Sequence, residues 1–298
     1  MLPVCPLRTL CPVAASLLLG VLPAGTFAAP APEALGNLTY TGIYETPVTL
    51  SNGHYEGEPY APGGASRPRV QLIPDLLVRG SDDTHTTSYV LLSESAGGSG
   101  NNLYLAAVSA TGKNTGTLRI GDRVDIIALR GEDGRAVLEH VIAGPGDAAC
   151  CPTQRVTSVF GMQDGRLAEL SRQEHGTLSP GDLAGASWRL ISLDRDTPVP
   201  EGIMVTARFE DERVAGSAGC NRYFAGMTAP SPYELAIGPA GATQMACPGP
   251  QMEIERRFLR ALEQATQYSF QLGRLAIGYR DGEITDTLLF ERQPQETP

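Results

Sequence analysis

Apolar and polar positions alternate in short runs along most of this chain, and turn residues separate the runs. Period-two alternation is the mark of a strand with one face buried and the other in water. The clearest run is 203–209, where Ile203, Val205, Ala207 and Phe209 share one face and Met204, Thr206 and Arg208 the other. Asp211 to Arg213 read as a charged turn, and Val214 starts a further strand. The small residues Ala215, Gly216, Ser217, Ala218 and Gly219 predict a close approach of backbone rather than a bulky core. Strands are predicted again at 233–237 and, very short, at 243–247. One segment has a different period. Ile254, Phe258, Leu259, Leu262 and Ala265 recur at helical spacing, Pro250 occupies a first helical position, and Glu253 and Glu255 stand in the first turn; a helix is predicted over 250–267. Strands at 268–272, 275–279 and 285–290 follow, turning at Gly273-Arg274 and Asp281-Gly282.

The earlier part of the chain reads as strand throughout. Strands are expected at 39–44 and 48–50, with a hairpin turn at Ser51-Asn52-Gly53-His54. Others are expected at 70–78 (interrupted by Pro74), 89–93, 104–109, 124–129, 136–142 and 155–160, with a tight turn at 131–134. Residues 29–35 form a Pro/Ala tail expected to lack structure. Residues 163–181 are polar without sustained pattern and read as a linker. The first 28 residues carry the order of a signal peptide: Arg8, an apolar run at 10–22 too short and Pro-broken to span a membrane, then Thr26-Phe27-Ala28. Cleavage is expected after Ala28, taking Cys5 and Cys11 with it. The cleavage point has no cysteine for lipid attachment.

These elements predict a β-rich protein with two small antiparallel-sheet or half-barrel domains, 36–162 and 182–292, the second carrying the one helix. Gly 34 and Pro 23 suit many turns, and a net charge of −10 argues against nucleic acid and anionic membrane as partners. The signal peptide predicts export, to the periplasm or the medium.

Leu183-Ala184-Gly185-Ala186-Ser187-Trp188, Val214-Ala215-Gly216-Ser217-Ala218-Gly219-Cys220-Asn221-Arg222-Tyr223 and Thr243-Gln244-Met245-Ala246-Cys247-Pro248, with Glu253 and Phe258, follow one another at workable spacing. On these residues the chain from about 180 to 292 resembles the META domain family, the HslJ-like heat-shock proteins of bacterial envelopes. The resemblance implies a strongly curved antiparallel sheet or half-open barrel with one helix packed across it. It also implies an association with stress, envelope integrity and drug tolerance, and it brings no settled activity. Its motif residues, Trp188, Gly219, Cys220, Asn221, Tyr223, Thr243, Met245, Cys247 and Phe258, are implied to be structural. Tyr40-Thr41-Gly42-Ile43-Tyr44, Gly63-Gly64-Ala65-Ser66-Arg67-Pro68, the stretch from Leu91 to Gly100, and Gly144-Pro145-Gly146-Asp147-Ala148-Ala149-Cys150-Cys151-Pro152-Thr153-Gln154 carry a second likeness. Over about 36–162 the chain is similar to LppP/LprE-type envelope lipoprotein modules. Relatives carry a calcium-loop-like segment where this chain has Gly80-Ser81-Asp82-Asp83-Thr84-His85-Thr86, which lacks the alternating carboxylates and glycine such a loop needs.

Four cysteines remain after cleavage, and an oxidising compartment allows three pairings among Cys150, Cys151, Cys220 and Cys247. Cys220 and Cys247, each on a predicted strand of one domain, suit a structural bridge; the alternative is two buried thiols. Adjacent Cys150 and Cys151 either close a vicinal ring, pair elsewhere or stay buried as small hydrophobes. His54, His85, His140 and His175 are dispersed, and the cysteines lack zinc spacing, so neither metal nor cofactor is expected. Ala215-Gly216-Ser217-Ala218-Gly219 imitates a nucleophile elbow, but strand rather than helix is expected after it and no histidine follows. Glu94 and Asp147 lie in Gly-rich surroundings where carboxylates serve turns, and Trp188 reads as core. The expected function is therefore a non-enzymatic exported envelope or stress protein that binds an envelope protein or a small apolar ligand. The alternatives are a thiol/disulfide module using Cys150 and Cys151, and a secreted hydrolase whose site is too irregular to read.

Overall fold

The computed structural model of the chain describes residues 29–81, 86–148 and 150–293. The expected signal peptide and its cleavage point at Ala28 lie outside these residues, as do Asp82 to His85. The fold is mainly antiparallel sheet with two helices, α1 (Pro32–Leu35) and α2 (Gly249–Glu263). The expectation of an unstructured tail at 29–35 is corrected by α1: Pro32 starts it, and Leu35 is buried beside Tyr40, whose hydroxyl donates to the Leu35 carbonyl at 2.8 Å.

In the N-terminal part, β1 (Thr39–Tyr40) and β2 (Val48–Thr49) make a small ribbon. Five strands form a second sheet in chain order: β3 (His54–Glu56), β4 (Arg69–Ser81), β5 (Thr86–Ser95), β6 (Asn102–Ser109) and β7 (Asn114–Asp122). A third sheet holds β8 (Asp125–Glu132), β9 (Arg135–Ile142), β10 (Gln154–Gln163) and β11 (Arg166–Thr177). β5 and β6 read as nearly unbroken apolar runs because both faces of the five-stranded sheet are covered. On one face Val70, Val90, Leu92 and Val108 pack under the N-terminal segment with Leu35, Tyr40 and Leu50. On the other, Leu91, Leu103 and Leu105 meet Ile126, Leu138 and Phe160 of the third sheet.

The linker expected at 163–181 is the largest correction. Residues 166–177 are β11, paired with β10 from Gln154–Thr177 to Gln163–Arg166. The strand carries no periodic signal because it is a sheet edge whose outer half is exposed on both faces, where alternation is not required. After it, Leu178 N–H donates to the Thr153 carbonyl (2.7 Å), and a 3-10 turn at Pro180–Leu183 is capped by Asp182, which accepts from Ser179 N–H (2.8 Å).

The C-terminal part is one strongly curved sheet. It contains β12 (Ser187–Ser192), β13 (Thr206–Glu210), β14 (Arg213–Ser217), β15 (Arg222–Thr228), β16 (Ala236–Ile237), β17 (Gly241–Ala242), β18 (Ala265–Gln271), β19 (Arg274–Asp281) and β20 (Ile284–Arg292). Its order is β16-β15-β14-β13-β12-β20-β19-β18, with β17 also on β15. The two ends meet through Leu235 N–H to the Thr266 carbonyl (3.1 Å) and Tyr268 N–H to the Tyr233 carbonyl (2.8 Å), giving a nearly closed barrel. Its interior is filled by Trp188, Phe209, Phe270 and Phe290, with Phe258 of α2 among them. The Phe258 ring stands edge-on to Tyr223 and Phe290, 5.3 and 6.4 Å between centroids. Arg256, Arg260 and Glu263 face outward.

Helix α2 ends four residues earlier than its apolar stripe predicted. Gln264 N–H closes the last turn, and Ala265, counted in the stripe, is buried as the first residue of β18, opposite Tyr279. The strand expected at 243–247 is absent because only Thr243 N–H reaches a neighbouring strand, at the Arg222 carbonyl (3.0 Å), while the Thr243 hydroxyl and the Met245 N–H and carbonyl are taken by the Asn221 side chain. The strand expected at 203–209 begins only at Thr206, preceded by a single bridge at Val205. Cys220 and Cys247 thus sit in loops rather than on strands.

The two parts share a core, since Ile127 and Val141 of the third sheet are buried in the same cluster as Trp188 and Phe270. The chain at Pro74 helps to make this junction. Proline cannot donate to the ladder, and the pairing of β4 with β5 skips from Ile73 to Leu77. The displaced loop reaches the β18–β19 turn, where Asp75 pairs with Arg274 at 3.0 Å and Leu76 abuts Gly273. Gly273 has φ +81°, and an added Cβ would stand 3.3 Å from Leu76, so both conformation and space call for glycine there.

Candidate functional site

Three places in this fold gather polar chemistry. The first is the knot built on Asn221, which is 2 % exposed. Its Oδ1 accepts from Met245 N–H (2.7 Å) and the Thr243 hydroxyl (2.8 Å); its Nδ2 donates to Glu255 Oε1 (3.0 Å) and the Met245 carbonyl (3.2 Å). Asn221 N–H donates to Glu255 Oε2 at 2.7 Å. Cys220 and Cys247 are joined as a disulfide beside it, with Cα atoms 5.9 Å apart. Gly219, at φ +107°, lets the turn pass close to Ile203 and the Gln251 carbonyl. Every polar atom of the Asn221 side chain is used, so the knot fixes the loops and the start of α2 and leaves nothing for a ligand.

The second place is the outer face of β13–β15. Alternation puts Tyr223, Ala225 and Met227 inside and Arg222, Phe224 and Gly226 outside. Register places Arg208, Ala215 and Phe224 in one row across three strands, with Ser217 opposite Arg222 in the next. Phe224 is 55 % exposed, and the Arg213 guanidinium lies 5.6 Å from its ring centre. Arg208 sits loosely at 4.0 Å from Glu210, whereas Arg213 and Arg222 have no ion pair among the described residues. Met204 and Met245 are also largely exposed. On a chain of net charge −10 this is a basic and apolar face.

The third place is the junction of the two parts. The Tyr233 hydroxyl, next to the barrel closure, contacts Asp125 Oδ2 (3.3 Å) and donates to the Pro152 carbonyl. Pro152 is buried and follows Cys150 and Cys151, which are solvent-exposed and joined to each other as a disulfide. Asp147 organises the same turn, accepting from Gly144 N–H and Thr153 N–H, each at 2.7 Å. Behind it Arg155 pairs with Asp182 at 3.0 Å, and the buried Tyr268 hydroxyl has no partner among the described residues. Burial pushes the Asp125 carboxyl up to about 6, against the lowering effect of the Tyr233 hydroxyl. A carboxyl whose value is raised by folding favours the fold while protonated and costs stability once ionised. Stability should fall as pH rises from about 4 through 6. Asp125→Asn is therefore expected to stabilise the protein at pH 8, by roughly 1–2 kcal/mol after allowing for partial exposure, and to change little at pH 4. Chemical denaturation at the two pH values measures the difference.

Of the expected site residues, the structure brings Gly219, Cys220, Asn221, Thr243, Met245 and Cys247 into the knot. Tyr223 and Phe258 meet in the core, and Trp188 is buried, its indole N–H toward the Leu183 carbonyl at 3.5 Å. Ser217 accepts from Gly219 N–H at 3.3 Å and lies before a bend and then β15, not a helix. Glu94 is buried and satisfied by the Tyr44 hydroxyl (2.8 Å) and Asn102 Nδ2 (2.6 Å). Phe224, Arg213, Asp125 and Tyr233 carry no site role in the sequence reading, and Glu255 reads there only as a first-turn acid of the helix. Phe224 had a signal, since alternation from Tyr223 puts it outside; Glu255 and Asp125 had none, because their partners come from distant segments.

Residues 181–294 match the family model of the META domain. A solved structure described as the NMR structure of the protein from Burkholderia xenovorans is 27% identical over 39% of this chain and 87% of its own, with a TM-score of 0.34. No curated protein matches.

Proposed function

We propose that the protein is exported, cut after Ala28, and acts in the bacterial envelope or beyond it as a non-catalytic, stress-associated binding protein. In this reading the META segment is of the HslJ-like kind and the N-terminal part an LppP/LprE-like module. The match over 181–294 supports the stress and envelope association. The observation that carries binding is the outer face of β13–β15. Exposed aromatic, methionine and arginine side chains are the types enriched where proteins meet, and one aromatic anchor commonly dominates such a contact. Because the concave side is filled by Trp188, Phe258 and Phe290, a ligand would have to use the outside. The guanidinium groups of Arg213 and Arg222, without an ion pair among the described residues, select an acidic protein surface as the partner.

The test is capture from envelope extract on the immobilised mature chain, whose N-terminus should read from Ala29. Phe224→Ala changes an exposed residue and should leave the fold intact while weakening capture about thirtyfold, the loss of a 2 kcal/mol anchor. Raising salt should weaken it further. Equal capture by parent and variant, or an exported chain beginning at Met1, would overturn the reading. A second reading, a thiol-reactive module, is favoured by the pairing of the exposed neighbours Cys150 and Cys151.

A further inference from the structure

The disulfide at Cys150–Cys151 lies one residue from a hydrogen bond that joins the two parts of the protein. We propose that this disulfide is the substrate of a dithiol reductant, and that its reduction loosens the junction at Tyr233. The inference rests on the thiol reading and is independent of the partner face at Phe224.

Three observations lead there. Both cysteines are exposed, and exposed disulfides are the labile class. Neighbouring residues joined through their sulfurs close a small ring that holds the peptide between them, and Pro152 follows at once. The Pro152 carbonyl then accepts from the Tyr233 hydroxyl, while the Thr153 carbonyl accepts from Leu178 N–H. The constrained turn therefore presents two acceptors, one to the barrel closure and one to the chain entering the barrel. Tyr233 is also the residue whose carbonyl receives Tyr268 N–H where the sheet closes. A change of shape at residues 150–152 reaches that closure through one side chain.

The chemistry balances with the reductant named. One thiolate of a dithiol attacks the sulfur of Cys150 or Cys151; the other cysteine leaves as a thiolate and takes up a proton. The second thiol of the reductant then displaces the mixed disulfide. Two protein thiols form and the dithiol becomes a disulfide. The Cys220–Cys247 bond is shielded by comparison, since both residues are half-buried against the Asn221 knot and α2.

The experiment uses the whole mature chain titrated with dithiothreitol, followed by differential alkylation and mass spectrometry, with amide exchange measured on the same samples. Cys150 and Cys151 should become alkylated at a reductant concentration at least tenfold below that needed for Cys220 and Cys247. At that point exchange at Leu235 and Tyr268 should quicken about tenfold, with core amides such as those of β20 unchanged. The Cys150→Ser/Cys151→Ser variant should show the fast exchange with or without reductant. Tyr233→Phe should exchange fast from the start and respond no further to reduction, which separates a coupled junction from a merely reducible surface disulfide. Simultaneous reduction of both disulfides overturns the proposal. So does selective reduction that leaves Leu235 and Tyr268 protected.

Discussion

Phe258→Ala is expected to unfold the C-terminal barrel well below the melting temperature of the parent. The side chain is fully buried, stands edge-on to Tyr223 and Phe290, and is the largest of the side chains, with Ile254, Ala261 and Leu262, by which α2 enters the core. Removing such a ring costs roughly 3–5 kcal/mol, against a total of about 5–15 kcal/mol for a typical domain. Trp188, the single tryptophan, lies in the core that the barrel shares with Ile127 and Val141, so its fluorescence reports the loss of that core. Arg260→Ala is the control: its exposed ion pair with Asp281 is worth no more than about 1 kcal/mol. The N-terminal part should melt later than the barrel but earlier than in the parent, because Ile127 and Val141 lose their cover. If Phe258→Ala and Arg260→Ala both keep the parent's tryptophan transition, α2 does not anchor the barrel.

At Asn221 an isosteric change should be worse than a truncation. Asn221→Ala leaves Glu255, Thr243 and Met245 short of partners, at a cost of roughly 2–3 kcal/mol. Asn221→Asp preserves the shape but turns the amide that donates to Glu255 and to the Met245 carbonyl into a carboxylate oxygen facing both. Its charge is buried among acceptors, so at pH 7 this variant should be the less stable of the two. Protonation of the new carboxyl restores a donor, hence the gap to the parent should narrow as the pH is lowered toward 5. Urea midpoints at both pH values provide the test; an Asp variant as stable as the parent at pH 7 would mean the knot does not form. With Cys220 and Cys247 bridged across 27 residues, the same loops are held covalently as well.

Much of this architecture is legible because its physics is local. The hairpin turns at Asn52-Gly53 and Asp133-Gly134 carry positive φ at both positions, as their residue types require. The alternation of β13 and β15 and the stripe of α2 place Phe209, Tyr223 and Phe258 inside without any tertiary information. The failures are tertiary. β11 carries little apolar signal because it is a solvated edge, and its partner β10 supplies the hydrogen bonds that define it. Ala265 fits a helical stripe and a barrel strand equally well; the pairing with Tyr279 decides. Residues 243–247 look like strand until the side chain of Asn221 takes their backbone groups. The junction is the least legible part, since Asp125, Pro152 and Tyr233 come from three segments, each unremarkable alone.

The pairing of β12 with β20 has a consequence for timing. Arg189 and Glu291, which meet across these strands, are 102 residues apart in sequence. A chain that appears N-terminus first therefore presents Trp188 and Leu190 long before the strand that completes their side of the barrel. Through that interval one edge of β12 is an open template for any other extended chain. The third sheet, by contrast, is complete by residue 177 and already offers Ile127 and Val141 as an apolar platform. That platform meets the barrel through β18 and the turn after it, where Gly273 N–H donates to the Ile126 carbonyl at 2.9 Å, so the docking of the two parts waits for the chain to pass residue 273.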